Sequence, residues 1–231
     1  MATKWSKYDK LWLCFSILLI ICASIYKFLF IVDETSNLII EVISSVLAVF
    51  GVTYVFGIAK QTRIAYFFGI GNVILYAIVC QTKGLYLSSL YNLFYSFPIM
   101  VYGYINWGRT KSNEEFNVKS FSKRQRGFLV VGMIFAVGIF AFISNKLFNG
   151  SNVILDSVVS VSVCVATFLM AKKYIEQWVL FIIANFFGVI MFVAINFNNM
   201  HDVELLLMWS IYLINSIYGM FAWRKTLNKK D

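Results

Sequence analysis

YGYINWGR spans residues 102–109 and YGMFAWRK spans residues 218–225. Each puts Tyr-Gly one helical turn ahead of a tryptophan, and each follows that tryptophan with arginine within two residues. Each also closes a run of mostly apolar residues, and about twenty such residues suffice to cross a bilayer as a helix. The phrase therefore reads as one end of a membrane helix, written twice. Tryptophan followed by a cation is an interfacial anchor, with the indole at the headgroups and the charge beyond it. The second reading of Trp107 and Trp223 is a gate.

The rest of the chain agrees with that class. Sixty per cent of its residues are hydrophobic, 13% are charged, and there is one proline in 231 residues. A soluble domain carries about 25% charged residues. In lipid only helices and closed barrels satisfy their own backbone, and the runs are continuous rather than alternating, which argues against a barrel. Eight runs are found, at 11–31, 38–59, 64–80, 86–107, 127–148, 153–171, 176–196 and 204–223. The fold expected is an all-α integral membrane protein of eight transmembrane helices. The longest polar stretch runs only from Gly108 to Arg126, so no soluble domain is expected. The first run is longer than a signal-peptide core and reads as a retained helix.

Charge sets the expected orientation. Lys4, Lys7 and Lys10, then Lys60 and Arg63, the cluster from Arg109 to Arg126, Lys172 and Lys173, and the tail place 17 of the 20 basic residues on one side. The other side receives Asp33, Glu34, Lys83, Lys146, Asp202 and Glu204. Basic loops stay cytoplasmic, so both termini are expected there. The net charge of +9 then needs no nucleic-acid partner. SKRQR at 122–126 reads as a segment facing lipid headgroups.

Several features carry no chemistry. Cys14, Cys22, Cys80 and Cys164 lie in or at the ends of apolar runs without a CxxC pair and read as small hydrophobes. His201 falls in a short loop beside Asp202 and reads as a surface residue. There is no phosphate loop of the G-x-x-x-x-G-K type and no Ser-His-Asp or Cys-His set, so neither an enzyme nor a cofactor or metal is expected. Lys27 sits near the outer end of the first run, where its stem can snorkel.

The doubled phrase belongs to a longer repeat. Asn72 and Asn185 are 113 residues apart, each in mid-run; at that offset GIAK at 57–60 lies over MAKK at 170–173, and Ser44 over Ser157. The offset becomes 116 at Tyr102/Tyr218, Gly103/Gly219 and Trp107/Trp223, the slip falling in a loop. Helices two to four thus repeat as helices six to eight. The division is an extra N-terminal helix (1–37), repeat 1 (38–107), a loop and connector helix (108–150), repeat 2 (151–223) and a basic tail (224–231). One connector makes the repeats parallel, a form found among transporters.

GIGNVILYAIVCQTKGLY with YGYINW, and YIEQWVLFIIANF with NSIYGMFAW, resemble the PnuC family of bacterial nicotinamide riboside transporters over roughly 38–225. The resemblance implies a three-plus-one-plus-three arrangement similar to that of SWEET sugar transporters, and facilitated diffusion with a cytoplasmic kinase trapping the vitamin as its phosphate. Relatives of this fold carry thiamine or other vitamins, so a thiamine or sugar carrier remains an alternative. A non-transporting membrane scaffold is the rival of another class.

A polar solute is expected near the bilayer midplane, between the repeats. Asn72, Asn185, Asn215 and Tyr212 are central in their runs, as are Tyr95 and Ser96, with Asn92 one to two turns outward. Buried amides also serve as glue between helices, but three at one depth favour a shared cavity. Gln177 and Trp178 join the candidates through the family-like EQW, where an interface belt is the other reading. Pro98, the one proline, removes a backbone bond and can kink its helix, as a hinge or as a static bend. No charged residue lies in the central third of a core helix, which points to an uncoupled carrier. A pyridinium cation would then rest on aromatic faces while asparagines bond ribose hydroxyls. A homo-oligomer is compatible with these features.

Overall fold

The computed structural model describes residues 5–31, 37–108, 117–148, 153–196 and 202–228. Its helices are α1 (Lys7–Phe30), α2 (Leu38–Ala59), α3 (Ala65–Thr82), α4 (Tyr86–Tyr91), α5 (Phe97–Gly108), α6 (Lys123–Ile143), α7 (Val153–Ala171), α8 (Gln177–Asn196) and α9 (Val203–Leu227). Among the described residues, seven helices are long and apolar enough to cross a membrane. His201, Arg109 and Lys111 lie outside the described residues.

The fourth apolar run is helical throughout but is not a single α-helix. A π turn, Asn92–Ser96, separates α4 from α5. Pro98 explains its place: with no N–H and a ring that crowds the carbonyl four residues back, it cannot continue a regular helix. The turn ahead of it widens, and Phe97 N–H bonds the Asn92 carbonyl five residues behind. The irregularity faces inward, since Asn92 and Ser96, at its two ends, are both buried.

Six elements, with α4 and α5 taken as one rod, touch in a closed ring: α2 packs on α3, α3 on α4 and α5, α5 on α7, α7 on α8, α8 on α9, and α9 back on α2. The remaining two stand outside. Helix α6 packs on α7 and buries none of its residues. Helix α1 lies over the seam between α2 and α9. The turns after α2 and α7 close alike, with Gln61 (φ 58°) and Lys173 (φ 66°) in the left-handed region. In each the next residue's N–H reaches back five residues, Thr62 to Gly57 and Tyr174 to Leu169, which is a Schellman closure.

Ion pairs fasten α1 at both ends. Lys27 is fully buried, with Nζ 2.9 Å from Glu41 of α2 and 2.5 Å from Glu204 of α9. This replaces the snorkelling expected of it, because without Lys27 two carboxylates inside the bundle would be buried with no counter-charge there. At the other end Lys60 of α2 lies 2.7 Å from Asp9, and the Tyr218 hydroxyl of α9 donates to Asp9 at 3.0 Å. Between them the Trp12 indole N–H donates to Asn215 at 2.8 Å. Each contact joins α1 to the seam.

The loop ahead of α6 is also pinned. Lys119 exchanges backbone hydrogen bonds of 2.9 Å with Lys173 and Ile175. Glu176 accepts from Phe121 N–H at 2.9 Å and from Arg126 Nε at 3.0 Å. Ser122 and Gln125 form a capping box that starts α6. The SKRQR segment therefore belongs partly to the protein's own packing: Arg126 turns to Glu176.

Candidate functional site: a cavity inside the helix ring

A cavity of about 60 Å³ sits inside the ring, and all six ring elements line it. Asn72 and Tyr76 come from α3, Asn92 and Ser96 from the π turn, Asn185 and Phe181 from α8, Trp209, Tyr212 and Ser216 from α9. Helices α2 and α7 add Tyr54 and Thr167. Ligand pockets have volumes of roughly 300 Å³ or more, so the walls are drawn together here and must separate to admit a solute.

The asparagines bond across and along the wall. Asn72 Nδ2 donates to the Leu47 carbonyl at 3.0 Å, Asn185 Nδ2 to Ser216 Oγ at 2.8 Å, and Asn92 Nδ2 to the Ser88 carbonyl at 2.6 Å. Each amide spends a donor in this way. Beside them several buried polar atoms make no hydrogen bond: Ser96 Oγ, Tyr212 Oη and Trp209 Nε1. Such atoms are rare in a finished core and mark a place for a polar guest or water. Tyr212 reaches inward because Gly51 opposes it; a β-carbon at Gly51 would collide with the phenol oxygen.

One wall is aromatic. Trp209 stacks on Phe192 with centroids 6.3 Å apart, and meets Tyr76 at 6.1 Å and Tyr212 at 5.8 Å. An indole beside two phenols gives a flat or cationic ring a face to lie on.

The structure thus brings Asn72, Asn92, Asn185 and Tyr212 together around one space. The other expected residues lie elsewhere. Asn215 turns to α1 and takes the Trp12 indole; its neighbour Ser216 faces the cavity instead. Tyr95 is half-buried outside the lining, near Cys164. Gln177 is fully buried with neither amide atom bonded, and Trp178 is fully buried one turn from the cavity-lining Phe181.

Trp178 belongs to an aromatic floor that also takes in the doubled phrase. Its ring lies 5.8 Å from Trp223, Trp223 lies 6.1 Å from Trp107, and Trp107 meets Tyr66 edge-on at 5.0 Å. Trp223 is fully buried and Trp107 is 6% exposed, so neither is a headgroup anchor. The glycine of each phrase supplies the reason. Gly103 seats the Tyr66 ring and Gly219 the Trp178 ring, at distances no side chain would tolerate. With a neighbouring helix pressed that close, the tryptophan one turn on must point inward.

A larger space, about 810 Å³, opens sideways between α6 and α8 and α9. Leu129, Met133, Ile134, Val137, Leu180 and Ile183 line it, which suits acyl chains rather than a polar solute.

Replacing Asn72 or Asn185 by leucine should leave insertion intact, since leucine is favourable in lipid. Solute binding should weaken by about 1–3 kcal/mol for each, the cost of a buried partner left unsatisfied. Calorimetric titration of the purified variants measures it. Normal binding by both would assign these amides to helix packing alone.

Sequence reading passed over Trp209, one of 42 Phe, Tyr and Trp residues, and Tyr76, because in so aromatic a chain nothing local separates a wall from packing. Comparison with known proteins agrees with the architecture. The family model described as nicotinamide mononucleotide transporter matches residues 38–225. A protein from Neisseria mucosa named nicotinamide riboside transporter PnuC is 31% identical over 97% of this chain and 84% of its own length. One of the same name from Haemophilus influenzae is 24% identical over 98% of this chain and 94% of its own. A solved structure described as the vitamin B3 transporter PnuC superposes with a TM-score of 0.80 at 28% identity, covering 99% of this chain and 95% of that one. The chain belongs to the nicotinamide mononucleotide transporter family, whose members are membrane transporters and not enzymes.

Proposed function

We propose that this protein carries nicotinamide riboside across a bacterial inner membrane by uncoupled facilitated diffusion. The observation that supports it best is the lining of the ring cavity: amides, hydroxyls and an aromatic wall set among valines and methionines, with no lysine or arginine among the described lining residues. Amides and hydroxyls suit a ribose and a carboxamide, and the aromatic wall suits a pyridinium ring. The relatives' names point to the same solute. The family description names the mononucleotide, but a phosphate calls for cationic donors, and the lining has none. The riboside is therefore the better fit.

The wider reading is an eight-helix protein in which the broken α4–α5 rod counts as the eighth crossing. Two three-helix repeats, α2 to α5 and α7 to α9, face each other with α6 as connector. Both termini are cytoplasmic, where the basic loops gather. Release inside is made one-way by a riboside kinase.

Thermal unfolding of the purified protein tests the substrate. At a hundred times its Kd, a ligand stabilises the folded state by about 2.7 kcal/mol, and the riboside alone should do so. Stabilisation by thiamine or a sugar would move the assignment within the fold, and stabilisation by none of them would favour a scaffold. Sealed vesicles test the mechanism. With the electrical potential clamped to zero, labelled riboside should reach equal concentration on both sides, and a proton or sodium gradient should not change the end point. The clamp matters because the riboside is a cation, and 100 mV is worth about 2.3 kcal/mol to it. Accumulation under a gradient alone would refute uncoupled transport.

A further inference from the structure

Six carboxylates are buried among the described residues: Asp9, Glu41, Asp156, Glu176, Asp202 and Glu204. Five have a basic partner within salt-bridge distance: Lys60 for Asp9, Lys27 for Glu41 and Glu204, Arg126 for Glu176, and Lys83 for Asp202. Asp156, 1% exposed in the first turn of α7, has none among the described residues. Its Oδ1 accepts from Ser88 of α4 and, at 3.3 Å, from Ser160 of its own helix. The two serine hydroxyls are 3.1 Å apart. Two neutral hydroxyls solvate a carboxylate but do not neutralise it, and a buried charge left uncompensated is costly.

Its position gives that charge a use. Asn92 bonds the Ser88 carbonyl and lines the cavity one turn further on. Tyr76 and Tyr91 line it as well. Asp156 is thus bonded to Ser88, one helical turn from the cavity-lining Asn92, and lies in the first turn of its helix as Glu41 and Glu204 do in theirs. It lies at the contact of α4 with α7, one of the seams of the ring.

We infer that Asp156 is the countercharge that selects a cationic solute, held by Ser88 and Ser160 while the ring is closed and presented to the solute when α4 and α7 separate. This rests on the riboside reading above and adds a specificity-determining residue to it. The pyridinium ring is then favoured for its charge as well as its shape. An aromatic wall alone discriminates only weakly between the cation and a neutral ring of the same shape.

Asp156→Asn tests it, because the side-chain oxygen can still accept from both serines. Affinity is measured for nicotinamide riboside and for its uncharged dihydro form, on wild type and variant. The expected result is a loss of tenfold or more for the cation and a change under threefold for the neutral form. Equal losses for both would make Asp156 a structural latch and overturn the inference, as would no loss for either. Ser88→Ala, which keeps the charge and removes one bond, should keep the preference for the cation. If Asp156→Asn yields no folded protein, competition on the wild type decides. 1-Methylnicotinamide should then displace the riboside at concentrations where uncharged nicotinamide does not, and equal displacement overturns the inference. A wild type that binds a neutral sugar and not the riboside would instead refute the substrate reading itself, a distinct outcome.

Discussion

Lys27→Met should lower the stability of the purified protein by about 3–5 kcal/mol, the usual cost of removing one member of a buried ion network. Lys27 is the cation between Glu41 and Glu204. Without it two carboxylates face each other inside the bundle, 11% and 0% exposed at their side chains. Thermal unfolding in detergent measures the loss. Adding Glu204→Gln and Glu41→Gln to the same chain should recover much of it, because no charge is then left without its partner. A double-mutant cycle separates this coupling from the packing of the lysine stem. The contrast with a snorkelling lysine is sharp: there methionine would be neutral or favourable in lipid. A stability unchanged by Lys27→Met would mean that α1 is not fastened to the seam at this end.

Trp209→Ala should be nearly as damaging, and in two ways at once. The indole is 4% exposed and is packed by Phe192, Tyr76 and Tyr212. Truncating a buried tryptophan to alanine costs about 3–5 kcal/mol. It also removes the ring face offered to the solute, worth roughly 0.5–2 kcal/mol for a cation. Trp209→Phe separates the two effects: it keeps a ring face while losing volume and the unbonded N–H. Its stability loss should be smaller, and its binding should fall between wild type and alanine. Unfolding curves and calorimetric titration of the three proteins measure both quantities. Full binding by Trp209→Ala would show that the aromatic wall does not touch the solute.

The class and the limits of the helical runs were open to reading from composition, because lipid demands one continuous apolar run per helix. All eight runs became helical within a few residues of the expected limits. The fourth differs only in its π turn, and the sequence signal for that was Pro98. Four of the eight expected site residues line the cavity, Asn72, Asn92, Asn185 and Tyr212. They share a trait that sequence displays: a polar group at mid-run must find protein or water. Asn215 shows the limit of that argument. It satisfies the same demand by turning to Trp12, 203 residues away in the chain.

What one chain order cannot express is which way each helix faces. Glu41 and Asp156 hide in the first turns of apolar runs, where a carboxylate looks like an ordinary helix start. Only packing decides that Lys27 reaches Glu41 and that Asp156 has no cation among the described residues. The doubled YGxxxW phrase divides in the same way. Its spacing and recurrence located the ends of two helices from sequence alone, since period and length are local properties. Whether its tryptophans face lipid or each other depended on two glycines pressed against rings of neighbouring helices. That contact exists only once the helices are assembled, so the same residues that announced the fold revealed their role only within it.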